Sequence, residues 1–240
     1  KSQSELDLTH GSIPKSLFFL AFPICITNLL QVGYNLADTF WLVRYSTEAL
    51  AAISLGFPLV YLFISLGLGL TVAGSVLVAQ HTGAKQSEKA EYAASQTVIF
   101  TLLAGVGLGV AGFSFVEELL QVFGAEPAVL ALAVEYMEVI SLGLPFLFGF
   151  TVFIALMRGA GDTVTPMLVM LGTVVLNIAI DPLLIFGVGP IPRLGVEGAA
   201  IATIISRGLA MAVGLWLTPY ASLSMRVHLR PMVPDFCSNP

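Results

Sequence analysis

Charged residues are scarce in this sequence. Only 10% of its 240 residues are Asp, Glu, Lys or Arg, whereas about a quarter of an ordinary soluble domain is charged. Hydrophobic residues make up 57% of the chain, and the mean hydropathy is +0.92. This balance excludes a soluble globular domain and indicates a membrane protein. The net charge of −5 is spread too thinly to identify partners, and no nucleic-acid partner is expected.

The chain also has few residues that could support cofactor or metal chemistry. Cys25 lies within an apolar stretch and Cys237 lies near the end of the chain, so free thiols are expected rather than a disulfide. The three histidines lack the spacing of metal ligands, and no metal site is predicted from them. No Gly-Lys-Ser loop that could hold phosphates is present. We therefore expect neither ATP as an energy source, nor a cofactor, nor an enzyme.

Long apolar blocks account for most of the sequence. A helix needs about 20 apolar residues to cross the hydrocarbon core of a bilayer. Six blocks are long enough, at roughly 17–43, 49–79, 95–115, 129–156, 167–188 and 198–219. The first is too long, and too poor in small residues at a cleavage point, to be a signal peptide. The blocks predict an all-α, polytopic membrane protein with a bundle of six transmembrane helices over 13–220, a cytoplasmic N-terminal tail over 1–12 and a cytoplasmic linker or tail over 221–240.

The positions of Lys and Arg predict the orientation of the bundle. Cytoplasmic connectors are enriched in these residues, and an inside N-terminus places seven of them in the cytoplasm and two, Arg44 and Arg193, outside. Arg207 lies within the sixth block, and it could pair with a buried acid or reach an interface. A further membrane segment could begin after the polar end of the chain. Since many transporters have two related halves, and no repeat is evident within these 240 residues, we expect half of a longer protein.

Two aspartates interrupt the apolar blocks. Asp38 follows Ser16 by 22 residues, and Asp181 follows Pro166 by 15, on two helices that both enter from the cytoplasm. The two carboxylates should therefore reach a similar depth in the outer half of the membrane. An ionised acid near the bilayer centre costs on the order of 3 kcal/mol, so each aspartate is a candidate functional residue.

Polar neighbours predict a site around these acids. Asn177 precedes Asp181 by four residues and Tyr34 precedes Asp38 by four, so each pair shares a helix face. Further oxygens and amides come from a small set of nearby side chains: Asn35, Thr39 and Thr203. Such a polar patch would form where the first, fifth and sixth helices meet. Pro23 and Pro182 lie on the helices that carry the acids, and a proline permits a bend, which makes Pro23 a candidate hinge.

The chemistry of this patch suits a small cation. Removing a carboxylate from water favours its protonated form, so the pair could exchange protons at ordinary pH. Carboxylate, amide and hydroxyl oxygens also suit a hard monovalent cation. A purely structural role, in which each aspartate ties helices together by hydrogen bonds, is the alternative.

One motif has a competing enzymatic interpretation. GAGD at 159–162 fits the Gly-x-Gly-Asp string of intramembrane aspartyl proteases, in which two acids share a proton. The Tyr-Asp dipeptide that accompanies it in those enzymes is missing. Asp162 is therefore predicted to be a turn or helix-capping residue.

The same segments resemble a known family. NLLQVGYNLADTFWL, LMRGAGDTVTPML, LNIAIDPLLIFG and GVEGAAIATIISR are similar to the first half of the multidrug and toxic compound extrusion (MATE) transporters, and the similarity extends over 11–220. The resemblance implies one lobe of a twelve-helix, two-lobed antiporter in the plasma membrane. Such a protein exports cationic or amphipathic compounds in exchange for protons or sodium.

The resemblance also implies roles for individual residues. Four positions match the cation-coupling residues of the family: Asp38, Asn177, Asp181 and Thr203. Sodium, if it is the coupling ion, would be held by Asp38, Asn177 and Asp181. Tyr34 and Tyr136 match positions that line the substrate cavity, and Asn35 is expected beside them. A second six-helix lobe is an expected partner, together with membrane lipid, because one lobe cannot form the central cleft.

Three other functions remain open on the sequence. A flippase for lipid-linked saccharides shares the helix-rich, two-lobed plan but would favour strongly cationic cavity residues, whereas the residues identified above make the cavity acidic. A channel would repeat polar residues along one helix and conduct without coupling. A non-transporting membrane assembly protein would tolerate the loss of both aspartates.

Overall fold

Six α-helices form the part of the chain that the structure describes. The computed structural model describes residues 13–124, 126–189 and 192–217. The helices are α1 (Ile13–Tyr45), α2 (Thr47–Gly83), α3 (Ser87–Gln121), α4 (Pro127–Gly159), α5 (Val164–Phe186) and α6 (Gly195–Leu217). The predicted all-α bundle is confirmed, with each block inside or largely inside one helix. The predicted tails at 1–12 and 221–240, and with them Cys237, lie outside the described residues.

All six helices are long and apolar enough to cross a membrane. The longest, α2, has 37 residues and is therefore about 55 Å long, more than the hydrocarbon core requires. Internal prolines do not break the helices: α1 continues through Pro23 and α5 continues through Pro182. The described chain is a multi-pass membrane protein.

Short connectors make successive helices antiparallel. Ser46 alone separates α1 from α2, and its side-chain oxygen accepts a hydrogen bond of 3.0 Å from the Ala49 backbone N–H at the start of α2. The α1–α2, α3–α4 and α5–α6 connectors therefore share one side of the bundle, called here the α1–α2 side. The other two connectors lie on the opposite side, called the α2–α3 side.

Helix α4 lies at the centre of the bundle and packs against α2, α3 and α6. Small residues allow these helices to approach closely. A Cβ atom built on Gly109 of α3 would lie 2.6 Å from the Ser141 carbonyl oxygen of α4. One built on Gly198 of α6 would lie 2.7 Å from the Leu184 carbonyl of α5. Backbone therefore packs against backbone at these two helix pairs.

Helix α1 is less enclosed than α4. It packs mainly along α5 and touches α2 and α6 in only a few places. A cavity opens where α1 separates from α2, and α4 and α6 form its inner wall. Large apolar side chains such as Leu29, Val110 and Trp216 are exposed on the outside of the bundle, as expected of a surface that faces lipid.

Candidate functional site

The cavity beside α1 has a volume of about 390 Å³ and brings together residues from five helices. Its wall is largely apolar, with aromatic rings and a few polar groups, which is typical of small-molecule sites. Six of the candidate residues from the sequence line it: Tyr34, Asn35, Asp38, Thr39, Tyr136 and Thr203. Asn177 and Asp181 are fully buried behind this wall.

The two aspartates lie side by side. Asp38 is seven residues from the end of α1 and Asp181 is five from the end of α5, so both are roughly 8 to 10 Å below the α1–α2 side. Their carboxyl groups are close enough to interact directly, and Asn177 also reaches Asp38. The Asn177 Nδ2 donates a hydrogen bond of 2.9 Å to Asp181 Oδ1. The spacing of four residues on α5 therefore produces the contact that the sequence indicates.

Several acceptor oxygens converge here without a donor. Asp38 Oδ1, Asp181 Oδ2 and Asn177 Oδ1 are all buried and have no hydrogen-bond partner among the described residues. Buried acceptors are normally satisfied, because leaving one unpaired costs about 1–3 kcal/mol. An arrangement rich in acceptors and poor in donors suits a proton shared between the acids or a small cation bound by their oxygens.

The hydroxyl-bearing residues border the acids on the cavity side. Tyr34 is only 2% exposed, and its hydroxyl lies near Thr203 of α6. Tyr136 of α4 is close enough to Asp38 for the two groups to interact electrostatically. The structure thus brings Tyr34, Tyr136 and Thr203 to the acid pair, each from a different helix.

Two candidate residues are less directly connected to the acids. The Thr39 hydroxyl donates a 2.8 Å hydrogen bond to the Asn35 backbone carbonyl, so it is engaged within α1. The Asn35 side chain is exposed and accepts a 3.2 Å hydrogen bond from Gln31 Nε2. Both residues therefore contribute to the open cavity rather than to the carboxyl pair.

Pro23, the candidate hinge, lies four turns before Asp38 on the same helix. The Thr27 hydroxyl donates a hydrogen bond of 2.8 Å to the Pro23 carbonyl.

The sequence did not resolve the role of Arg207, which the structure places in the cavity wall. It neither reaches an interface nor forms a salt bridge within the described part of the chain. Its Nη2 donates a 2.8 Å hydrogen bond to Gln31 Oε1, and its guanidinium lies over the Tyr34 ring at 4.5 Å. The spacing of four residues from Thr203 is the signal that could have placed it in the cavity. Gln31 had no such signal, because a neutral polar residue is unremarkable in a membrane helix.

The cavity is not purely acidic, contrary to the expectation from the sequence. Arg158 at the end of α4 and Arg207 in α6 line the same cavity as Asp38. The cavity contains both signs of charge because α4 and α6 supply bases where α1 supplies an acid. The rotation of α4 and α6 about their axes determines which charged side chains line the cavity. The sequence alone does not show that rotation.

The Gly-x-Gly-Asp string has the structural role predicted for it. Asp162 lies in the turn between α4 and α5, where its Oδ1 accepts hydrogen bonds from the backbone N–H groups of Val164 (3.1 Å) and Thr165 (3.0 Å). Its Oδ2 accepts a hydrogen bond of 2.6 Å from the Thr165 hydroxyl. These contacts cap the start of α5, so Asp162 is a capping residue.

Comparison with known proteins agrees with this architecture. A family model described as MatE matches residues 23–183. The probable multidrug resistance protein YoeA of Bacillus subtilis is 34% identical over 196 residues, which are 81% of this chain and 42% of that protein. The FAD transporter of Shewanella oneidensis is 33% identical over 210 residues, which are 88% of this chain and 46% of that protein.

Solved structures show the same relationship. A crystal structure described as MATE in the bent conformation superposes with a TM-score of 0.86 at 30% identity, covering 98% of this chain and 52% of that one. This chain spans about half the length of the relatives it matches. One of these relatives is named for transport and the other for multidrug resistance, and neither is named for catalysis, which agrees with the expectation that the chain is not an enzyme. The resemblance inferred from the sequence is confirmed: this chain belongs to the MATE family of multi-pass membrane transporters.

Proposed function

We propose that this chain is the N-terminal lobe of a cation-coupled antiporter that exports small organic compounds. The observation that carries the proposal is the convergence of three buried oxygens from α1 and α5 that lack donors, on Asp38, Asn177 and Asp181. In this proposal the N-terminus is cytoplasmic, the protein lies in the cell membrane, and a second six-helix lobe completes the cleft. No cofactor takes part other than the coupling ion, which is a proton or sodium.

The mechanism follows from the charges of the acid pair. Two ionised carboxylates side by side repel each other strongly where water is scarce. A proton shared between Asp38 and Asp181, or a sodium ion held by them and Asn177, removes that repulsion and allows α1 and α5 to approach. Thr203 and Tyr34 then adjust at the cavity wall, and a bend of α1 near Pro23 changes the shape of the cavity. Ion binding in this way weakens the contacts to the exported compound.

The nature of the exported compounds is supported by the cavity and by the relatives. A cavity of about 390 Å³ with aromatic rings and charges of both signs suits amphipathic organic molecules, including cationic ones attracted by Asp38. Tyr34, Asn35 and Tyr136 are proposed to contact them. The names of the relatives, a multidrug resistance protein and an FAD transporter, support small organic substrates.

The decisive experiment removes the acids one at a time. In the full-length protein, Asp38→Asn and Asp181→Asn preserve the size of the side chain but replace one carboxylate oxygen with an amide NH2 and abolish the negative charge. We expect the rate of ion-driven efflux of a fluorescent dye from proteoliposomes to fall at least about tenfold in each variant. The neutral amide neither takes up a proton nor attracts a cation as a carboxylate does. Imposing a proton gradient and a sodium gradient separately identifies the coupling ion.

Glu135→Gln is the matched control for these variants. Glu135 is an exposed acid of α4 that does not line the cavity, so its neutralisation should leave efflux unchanged. Retention of full ion-driven efflux by both aspartate variants would contradict the proposal. It would favour a purely structural role for the two acids, in which their hydrogen bonds tie helices together in a protein that still transports.

A flippase for lipid-linked saccharides is a second candidate, favoured by Arg158 and Arg207 in the cavity wall. Such lipids carry phosphate groups, which arginine binds well. Translocation of a fluorescent lipid-linked saccharide by the full-length protein in liposomes, independent of any ion gradient, would favour this candidate over the antiporter.

A further inference from the structure

We infer that Arg207 forms an anion-binding subsite in the cavity, so that the exported compounds include aromatic molecules bearing a carboxylate or phosphate group. The inference rests on the proposed transport function and specifies its substrate class. A cavity that recognised cations alone would have no use for a guanidinium in its wall.

The surroundings of Arg207 hold the guanidinium in one orientation. Arg207 is only 9% exposed and yet lines the cavity. The guanidinium carbon lies 4.5 Å from the centre of the Tyr34 ring and 5.1 Å from that of Phe150. Aromatic rings on a guanidinium restrict its rotation and leave the edge with the N–H donors free to bind.

Most of the donors of Arg207 have no strong acceptor. A guanidinium carries five N–H donors. One donates to Gln31 Oε1 at 2.8 Å, and another makes a weak contact of 3.7 Å to the Met170 sulfur. A thioether is a poor acceptor, so the fork of donors that suits a carboxylate or phosphate is only partly engaged.

The positive charge of Arg207 is also not matched by a contacting acid. No salt bridge to Arg207 forms among residues 13–124, 126–189 and 192–217. Asp38 attracts it electrostatically, but the Asp38 carboxyl interacts directly with Asp181 and Asn177. Burying a cation without a hydrogen-bonded counter-ion costs several kcal/mol in general. An anionic ligand offsets that cost, which gives it an advantage over a neutral ligand of the same shape.

A purely structural role explains these features less well. Arg207 does connect α6 to α1 through Gln31, and Gln31 continues to Asn35. A neutral amide at position 207 could make the same connection without desolvating a charge. Arg158 lines the same cavity nearer the α2–α3 side, so a second base lies along the path of an anionic molecule.

A pair of dyes that differ in one acidic group tests the inference. Rhodamine B carries a carboxylate beside its cationic ring system, and its ethyl ester lacks that negative charge. Binding of each dye to purified full-length protein in detergent is measured by fluorescence anisotropy. We expect the wild-type protein to bind the acid more tightly than the ester, by about tenfold, as for a charge-assisted pair.

Variants then assign the preference to Arg207. Arg207→Gln should lose the preference for the acid while keeping its affinity for the ester within about threefold. Arg44→Gln is the matched control, because Arg44 also lies over an aromatic ring, that of Phe40 at 4.4 Å, but does not line the cavity. It should keep the preference.

The outcomes separate this inference from the proposed function. Equal affinity of the wild-type protein for the two dyes overturns the inference and needs no variant, so a poorly folded Arg207→Gln protein cannot hide the result. An equal loss of affinity for both dyes in Arg207→Gln also overturns the inference, because it indicates a distorted cavity rather than a lost anion-binding group. Binding is measured without an ion gradient, so retention of full ion-driven efflux by both aspartate variants would contradict the proposed function alone.

Discussion

Two glycines of α3 show how much one methyl group can matter in this bundle. A Cβ atom on Gly109 would lie 2.6 Å from the Ser141 carbonyl oxygen of α4. Gly107 is two residues away on the same helix and has nothing within 4 Å of such an atom. The first glycine permits close packing of α3 on the central helix, whereas the second lies on an open side.

We therefore predict opposite effects of the same substitution at these two sites. Gly109→Ala should lower the free energy of unfolding by about 1–3 kcal/mol, because a methyl group cannot displace backbone without moving a helix. Gly107→Ala should be neutral or stabilising by about 0.5–1 kcal/mol, because alanine favours the helix. Thermal unfolding of the purified protein in detergent measures both. Similar melting temperatures for the two variants would contradict the α3–α4 packing.

Rare residue types were informative at this scale and common ones were not. The assignment of Asp38 and Asp181 to one candidate site could be predicted, because a carboxylate in an apolar block is exceptional. The position of Asn177 beside Asp181 followed from its spacing of four residues. Gln31 could not be predicted, because nothing in the sequence shows which face of α1 meets Arg207. The direct contact between the two aspartates also depends on the rotation of α1 against α5, which only the structure provides.

At the scale of elements, α1 combines a weak attachment with one of the two aspartates of the candidate site. It packs mainly along α5 and meets α2 and α6 in few places, while Asp38 lies near its C-terminal end. Pro23 lacks the N–H that would bond to the Phe19 carbonyl one turn earlier. The Thr27 hydroxyl donates to the Pro23 carbonyl at 2.8 Å, and such a contact often accompanies a bend in a helix.

Pro23→Ala tests whether α1 must bend. The alanine restores the missing backbone hydrogen bond and should stiffen α1, so we expect dye efflux by the full-length protein to fall by several-fold at equal expression. Pro58→Ala is the control, because Pro58 is an exposed proline inside α2 that does not line the cavity. Equal efflux by wild type and Pro23→Ala would remove the hinge from the mechanism.

The helices themselves were predicted well, apart from their ends. The third block was expected at 95–115, whereas α3 runs over Ser87–Gln121 and includes Glu88, Lys89 and Glu117. Hydropathy detects the part of a helix that lies in hydrocarbon, and it misses charged turns that extend beyond it. The helices are therefore longer than the apolar blocks by a turn or more at several ends.

At the scale of the whole molecule, the orientation in the membrane remains a prediction. The α2–α3 side carries Lys85, Lys89 and Arg158, and the α1–α2 side carries Arg44 and Arg193. The excess of bases on the α2–α3 side predicts that it faces the cytoplasm. Asp38 and Asp181 would then lie nearer the outer surface.

Single cysteines at the two sides test this orientation. In a full-length protein with Cys25 and Cys237 replaced by alanine, Glu126→Cys lies at the start of α4 and Ala84→Cys lies at the end of α2. A membrane-impermeant maleimide added to intact cells should label Glu126→Cys. It should label Ala84→Cys only after the membrane is permeabilised. The reverse pattern would show that the acid pair lies nearer the cytoplasm.

The burial of Asp181 behind Asp38 has a consequence for the proposed mechanism, because it implies the order in which an ion reaches the two acids. Asp38 borders the cavity, whereas Asp181 has no exposed surface and lies behind it, next to Asp38 and Asn177. An ion that enters from the cavity meets the α1 carboxyl first and the α5 carboxyl second. In the proposed mechanism an ion therefore reaches the two acids one after the other, and α1, the less enclosed helix, carries the first of them.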